Sequence, residues 1–134
     1  MSEPGLSSRL RLLYWVLTGL VAAAMTASGG LYFRDVFAGS GEVLDNFAEL
    51  GYPSYMVAML GTAKLLGALA LVVRRFPLLT EWAYAGFTFN FLSAGISHLT
   101  VGHTLGESMP PFVMLAILLG SYTLWRRQYR VQAV

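Results

Sequence analysis

The sequence predicts an all-α, polytopic membrane protein: an up-and-down bundle of four transmembrane helices with an amphipathic segment in the first extracytoplasmic loop. Two observations lead to this fold class. Of the 134 residues, 56% are hydrophobic and only 12% are charged, whereas about 25% are charged in a typical soluble domain. The chain also contains four apolar segments, each close to the length of about 17 to 25 residues that a helix needs to cross a bilayer core. Lipid is therefore the expected surrounding of most of the chain.

The predicted spans belong to a single domain that covers residues 1–134. They comprise residues 12–33, 55–73, 82–99 and 109–125. The last span is marginal in length, so it is expected to lean on its neighbours or to thin the bilayer locally. Short loops separate the second span from the third and the third from the fourth. These loops make the helices antiparallel neighbours, which favours the up-and-down bundle.

Basic residues are concentrated at one set of span ends. Seven of the eight arginines precede the first span or follow the second or fourth span, and only Arg34 lies at the opposite ends. The positive-inside rule then places both termini and the second loop in the cytoplasm. Because the basic charge marks the topology, it gives no argument for nucleic-acid binding, which we do not expect.

The first loop contains the amphipathic segment. Within residues 39–53, apolar side chains recur at Val43, Leu44, Phe47 and Leu50, a spacing typical of a helix with one apolar face. Such a helix would lie on the outer membrane surface as a connector, or cover the mouth of the bundle as a lid.

Small side chains predict where the helices approach each other. In lipid, close helix association depends on residues that let two backbones come near. On the first span, Thr18, Ala22, Thr26 and Gly30 recur at intervals of four residues. This row is expected to form a helix contact.

Lys64 is the most informative residue of the second span. It lies near the middle of that span, where a charged side chain costs about 2.5 to 3.5 kcal/mol on insertion scales. Because its neighbours on the same helix face are small or apolar, the side chain is predicted to point into the bundle. There it either holds two helices in register or binds a proton, an anion or a polar ligand head.

The third span supplies the surface that is expected to face Lys64. Gly86, Asn90, Ala94 and Ser97 recur at spacings of four, four and three residues, and antiparallel packing brings Asn90 near the depth of Lys64. A pocket between the second and third spans would have aromatic walls. Glu81 lies at the cytoplasmic end of this span. It can pair with Lys64 only if the helix enters the membrane well before Trp82, so its simpler role is that of a boundary carboxylate near the arginines of the second loop.

The two histidines, His98 and His103, are five residues apart, and the chain has no cysteine. On one helix these histidines would not share a face, so we expect no haem; the pair of His103 and Glu107 gives only a weak metal-binding pattern because the flanking glycines indicate a loop. We therefore expect no metal and no covalently bound cofactor. His98 could instead shuttle a proton between an outer aqueous mouth and the interior, or form only an interfacial hydrogen bond. The candidate ligand-binding residues are Lys64, Asn90, His98, Glu81, Tyr84 and Phe87.

Four segments together resemble the DoxX-like family of small bacterial membrane proteins. They are residues 51–53, 60–68, 81–87 and 97–98, which read GYP, LGTAKLLGA, EWAYAGF and SH. The resemblance implies a four-helix, multi-pass protein of the bacterial inner membrane. The family takes its name from subunits of a thiosulfate:quinone oxidoreductase, so the resemblance also implies a quinone as cofactor. In that case Lys64, Asn90 and His98 would carry the binding.

Three functions stay open at this point. The first is a quinone- or lipid-binding subunit associated with membrane redox chemistry. The second is an assembly or scaffold factor with no site of its own, which the small-residue faces and the chaperone-like animal relatives favour. The third is an enzyme that uses Lys64, His98 or Glu81 for acid–base chemistry on a lipophilic substrate. The expected partners are the lipid bilayer, a quinone or lipid-like ligand, and a second copy of the chain or a redox protein of the membrane.

Overall fold

The computed structural model describes residues 5–133, and within them it contains five α-helices. The prediction of an all-α fold is confirmed. One helix, Tyr55–Val73, agrees with the second predicted span residue for residue. The helices are α1 (Ser8–Ala38), α2 (Glu42–Glu49), α3 (Tyr55–Val73), α4 (Pro77–Thr100) and α5 (Leu105–Ala133).

The other long helices extend beyond the predicted spans because local capping continues them past the apolar residues. The hydroxyl of Ser7 accepts a hydrogen bond of 3.3 Å from the N–H of Leu10 at the start of α1. Gly39, with φ of 71°, ends that helix in the left-handed conformation that glycine tolerates best. Pro77 occupies the first turn of α4, a position where its missing N–H costs nothing.

The start of α5 differs from the loop that the sequence suggested. Thr104 and Glu107 form a reciprocal cap: the Glu107 carboxylate accepts from the N–H of Thr104 at 2.9 Å, and the Thr104 hydroxyl accepts from the N–H of Glu107 at 3.3 Å. This capping box stabilises the first helical turn. Residues 105–108 are therefore helical despite Gly106.

The four long helices contact one another in a closed ring. α1 packs against α3 and α5, and α4 packs against the same two helices. Side chains of all four helices meet in the core, where Tyr14, Leu71, Tyr84 and Leu118 are almost fully buried. α2 packs against α1 and α3, and its own Phe47 is buried.

Three of the long helices have the length and apolar composition needed to cross a membrane. They are Ser8–Ala38, Tyr55–Val73 and Leu105–Arg130. α4 is not among them, although it has 24 residues. Length and composition thus support three of the four predicted spans, and the remaining one, residues 82–99, lies within α4.

α1 also contacts α3 at Gly29, which lies outside the predicted row. A Cβ atom added at Gly29 would lie 2.9 Å from a methyl carbon of Leu65 and 3.2 Å from the carbonyl oxygen of Gly61. Thr18 and Ala22 of the row are buried as expected, but Thr26 and Gly30 are exposed. The physical reason is helix periodicity: a step of four residues overshoots a turn of 3.6 residues, so a strict row of fours drifts off the buried face.

Candidate functional site

Two cavities lie between α3 and α4. The polar cavity, with a volume of about 520 Å³, is named for Lys64, Asn90, Ser93, Ser97 and His98, which line it together with apolar side chains such as Phe47, Met56 and Phe89. The apolar cavity, with a volume of about 560 Å³, is lined by side chains such as Leu66, Leu79, Trp82 and Phe87. Leu60, Lys64, Gly86 and Asn90 line both cavities.

Lys64, the only lysine of the chain, points into the protein as the sequence predicts. Only 6% of the residue is exposed. Its Nζ atom donates a hydrogen bond of 2.8 Å to the hydroxyl of Ser28 and lies 3.8 Å from the centroid of the Tyr32 ring. An amine above an aromatic face is stabilised by the ring quadrupole when it is charged. Both partners come from α1, so this helix stabilises the amine and leaves its remaining donors for the cavities.

Asn90 and His98 also lie where the sequence places them, on the α4 face that lines the polar cavity. Gly86, Ala94 and Ser97 share this face, which confirms that the spacing of fours and threes marks one side of the helix. Each step of four residues rotates slightly more than one helical turn, and the final step of three rotates slightly less. The steps therefore offset one another, and the four residues stay on one side of α4.

The mouth of the polar cavity is built from hydrogen-bonded pairs. The hydroxyls of Tyr52 and Ser97 are 2.6 Å apart and join the loop after α2 to α4. The Nδ1 atoms of His98 and His103 are 2.7 Å apart, and Nε2 of His103 lies 2.9 Å from a carboxylate oxygen of Glu49. The contact between the two histidines is not predicted from the sequence, because His98 lies on a predicted span and His103 in the loop that follows it. α4 ends at Thr100, and Gly102, with φ of 82°, turns the chain back.

A buried carboxylate holds α2 over the polar cavity. Asp35 is 1% exposed, and it accepts a hydrogen bond of 2.8 Å from the N–H of Val43 in the first turn of α2. Arg34 pairs with the same carboxylate at 2.8 Å. Val43 and Phe47 of α2 line the cavity, so Asp35 positions one of its walls. In the sequence Asp35 is one acidic residue among several in the first loop, and nothing sets it apart.

Three candidates from the sequence have other surroundings. Glu81 accepts a hydrogen bond of 2.9 Å from the Tyr122 hydroxyl and lies 3.6 Å from Arg126, rather than beside the arginines of the second loop. Tyr84 is buried in the core and its hydroxyl lies 2.7 Å from that of Ser121. Phe87 does line the apolar cavity, but it is 4% exposed and belongs equally to the core.

Ser28, Tyr32, Glu49 and Tyr52 are site residues that the sequence argument did not select. Ser28 and Tyr32 are four residues apart on α1, so a search for polar residues at helical spacing opposite Lys64 could have found them. Glu49 and Tyr52 could not be assigned in this way, because their position depends on how α2 folds back over the bundle. Within residues 5–133, no group of three or more His, Asp or Glu side chains has a geometry that could hold a metal ion.

The fold and the cleft define an α-helical membrane protein with a cavity between two neighbouring helices. The model of the DoxX-like family matches residues 16–121, a range that contains every cavity residue named above. The chain therefore belongs to the DoxX-like family, and its apolar helices contact the lipid bilayer. No curated protein and no solved structure matches the chain.

Proposed function

We propose that the protein binds a lipophilic molecule with a polar head, a quinone or a lipid, in the cleft between α3 and α4, as a subunit associated with membrane redox chemistry. The observation that carries the proposal is the meeting of two unlike cavities at Lys64 and Asn90. One cavity offers hydrogen-bonding groups and the other offers almost only hydrocarbon and aromatic surface. An amphiphilic ligand needs this pairing.

The chemistry of the head site suits an oxygen acceptor. An ammonium group has three donors, and one of those of Lys64 is directed to Ser28. The others can donate to a quinone carbonyl or to the ester or phosphate oxygens of a lipid. The amide of Asn90 can both donate and accept. Each cavity volume lies in the range of about 300 to 1,000 Å³ that is usual for small-molecule sites.

The apolar cavity opens on the outer surface of the bundle. Leu66 and Trp82, which line it, are 62% and 64% exposed. In a bilayer these side chains face acyl chains, so a ligand tail can enter sideways from the lipid. This route avoids moving the tail through water.

We propose α4 as the fourth transmembrane span. Its 24 residues give a length of about 36 Å at 1.5 Å per residue, enough for a hydrocarbon core of about 30 Å. Leu78, Phe89 and Ile96 expose apolar side chains along it. Its hydropathy is lowered by Asn90, Ser93 and Ser97, which line the polar cavity, and polar residues that face a cavity are tolerated in spanning helices.

We propose a bacterial inner-membrane location with both termini in the cytoplasm. The arginine-bearing ends lie together in the structure: Arg74 donates a hydrogen bond of 2.8 Å to Gln128, and its guanidinium lies 4.8 Å from the centroid of the Tyr14 ring. The absence of cysteine from the sequence makes single-cysteine labelling in spheroplasts a direct test of this topology. An impermeant maleimide should label Ser40→Cys and Val101→Cys, but Ser8→Cys and Arg75→Cys only after the membrane is opened. Failure of Val101→Cys to label in intact spheroplasts would contradict α4 as the fourth span, and labelling of Arg75→Cys there would contradict a cytoplasmic second loop.

The test of the proposed function is binding of decylubiquinone to the protein in nanodiscs, followed by quenching of Trp fluorescence. Trp82 lines the apolar cavity, so a bound quinone should quench it. Lys64→Met should weaken binding by about 10- to 100-fold, the equivalent of one hydrogen bond to a charged group. Thr62→Val is the matched control, because Thr62 is exposed and bonds only the Ala58 carbonyl of its own helix among described contacts.

Equal affinity in wild type and Lys64→Met would overturn the proposed head site. If decylubiquinone and native lipids both fail to bind, while a pulldown in mild detergent returns a membrane partner, the scaffold function replaces the binding function. A partner recovered together with bound quinone supports the redox subunit. Mass measurement of the same sample shows whether a second copy of the chain is present.

A further inference from the structure

We infer that Glu49, His103 and His98 form a proton relay between the water at the α2 end of the bundle and the occupant of the polar cavity. The three side chains come from α2, from the turn between α4 and α5, and from α4. Their nitrogen and oxygen atoms are joined by contacts of 2.9 Å and 2.7 Å. The inference rests on the proposed function only for the identity of the molecule that receives the proton.

The relay runs from an exposed group to a cavity wall. The side chain of Glu49 is 59% exposed, and that of His103 is 22% exposed. His98 lines the polar cavity together with Lys64 and Asn90. Exposure thus falls from Glu49 to His103, and the inner end of the series lies where a ligand head would sit.

The contact between the two imidazoles requires a shared proton. Two Nδ1 atoms 2.7 Å apart can form a hydrogen bond only if one ring carries the proton and the other accepts it. This geometry is the one needed for transfer from ring to ring. A neutral imidazole has one donor and one acceptor nitrogen, so each ring can take a proton on one side and release another on the opposite side.

The steps balance as follows. Glu49 takes a proton from water and passes it to Nε2 of His103, which becomes an imidazolium. His103 releases its Nδ1 proton to Nδ1 of His98, which in turn releases its Nε2 proton into the cavity. One proton has moved inward, the carboxylate is restored, and both rings are neutral with their tautomers exchanged; return of a proton along the same atoms restores the first tautomers. The same steps in reverse carry a proton outward.

Other titratable groups surround the relay. On α5, the carboxylate of Glu107 acts electrostatically on both histidines, but it is held by the N–H and hydroxyl of Thr104. Tyr52, after α2, bonds Ser97, and Tyr32 of α1 and Lys64 of α3 line the far side of the same cavity. The carboxylate of Glu107 therefore serves the cap of α5, whereas that of Glu49 contacts His103 directly.

The test uses the whole protein in nanodiscs with ¹⁵N-labelled histidine. Since the chain has two histidines, each imidazole can be followed separately. His103→Gln keeps a side chain that can hydrogen-bond to both neighbours but cannot pass a proton through a ring. The rate of proton exchange at His98 should fall by about 10²-fold in this variant, the lower end of what a positioned acid–base group contributes.

Two further variants distinguish a proton relay from hydrogen bonds that only hold the three segments together. Glu49→Gln removes the outer carboxylate at an exposed position and should also slow exchange at His98. Glu107→Gln keeps the cap on α5 and should leave exchange near the wild-type rate. Unchanged exchange at His98 in both His103→Gln and Glu49→Gln would overturn the relay, because hydrogen bonds with a purely structural role do not set the rate of proton exchange.

The readout does not depend on a ligand, so failure of the relay can be told apart from failure of the proposed function. If the variants slow exchange at His98 but the wild-type protein does not bind decylubiquinone, the relay is supported and the quinone is excluded as the ligand. If decylubiquinone binds and exchange is unaltered in both variants, the proposed ligand stands and the relay is overturned.

Discussion

Nζ of Lys64 and Oγ of Ser28 lie 2.8 Å apart across the contact between α3 and α1. This hydrogen bond allows an amine to occupy the middle of an apolar helix. It also separates two roles of Lys64, because the partner that stabilises the amine lies on α1 while the cavities lie toward α4. Stability and binding can therefore be tested by different substitutions.

Removing the partner of Lys64 should cost stability only while the amine is present. Ser28→Ala is expected to lower the free energy of unfolding by about 1 to 3 kcal/mol, because it leaves a buried donor short of an acceptor. In a Lys64→Met background the same substitution should cost much less. A double-mutant cycle measured by unfolding in detergent gives the coupling. Equal costs in the two backgrounds would show that the hydrogen bond does not stabilise the amine.

Adjacent glycines on α1 should respond in opposite directions. Gly29→Ala places a methyl group 2.9 Å from Leu65 and 3.2 Å from the Gly61 carbonyl, so it should destabilise the protein by about 1 to 3 kcal/mol through overpacking. Gly30→Ala meets nothing within 4 Å and should be neutral or stabilise the helix by up to about 1 kcal/mol. Thermal unfolding in the same detergent compares the two. A larger loss of stability in Gly30→Ala than in Gly29→Ala would show that the face of α1 at Gly29 does not contact α3.

The glycine pair shows how far sequence periodicity could go. The extent of α3 followed from hydropathy, and the cavity face of α4 followed from Gly86, Asn90, Ala94 and Ser97. The packing face of α1 followed only in part, through Thr18 and Ala22, because small residues occur on several sides of that helix and a row of fours drifts with length. Only contact with Leu65 and Gly61 selects Gly29.

Tertiary contacts determine the parts of the site that sequence patterns do not predict. Lys64 stood out because one charge in an apolar span demands compensation. His103 did not, because its contact with His98 depends on where α4 ends and how Gly102 turns the chain. Local patterns thus located the cleft, while its mouth depends on tertiary structure.

Tyr84 should prove structural rather than ligand-binding. Its hydroxyl and that of Thr18 both lie 2.7 Å from the Ser121 hydroxyl, which joins α1, α4 and α5. Ser121→Ala should cost about 1 to 3 kcal/mol, since it leaves buried hydroxyls without this partner. Thr123→Ala, at an exposed site bonded to its own helix, should change stability by less than about 0.5 kcal/mol.

Tyr84→Phe extends the same test to binding. The substitution should lower stability in unfolding measurements and leave the affinity for decylubiquinone unchanged, because Tyr84 lines neither the polar nor the apolar cavity. A clear loss of affinity at unchanged stability would return Tyr84 to the ligand site.

Asp35 should control the polar cavity through α2. Its carboxylate accepts from the N–H of Val43 and so acts as the N-terminal cap that Gly41 cannot supply. Losing such a cap costs about 0.5 to 2 kcal/mol. Asp35→Ala should therefore loosen α2 and increase amide hydrogen exchange in residues 42–49, with little change in α5.

The cavity prediction follows from the same substitution. Because Val43 and Phe47 line the polar cavity, loosening α2 should weaken decylubiquinone binding in Asp35→Ala and widen access of water to His98. Asp45→Ala is the matched control, since it removes an exposed carboxylate from α2 itself and leaves the cap intact. Equal exchange of α2 in the two variants would mean that Asp35 does not hold this helix, and a loss of binding with α2 still protected would place the effect elsewhere than the cavity wall.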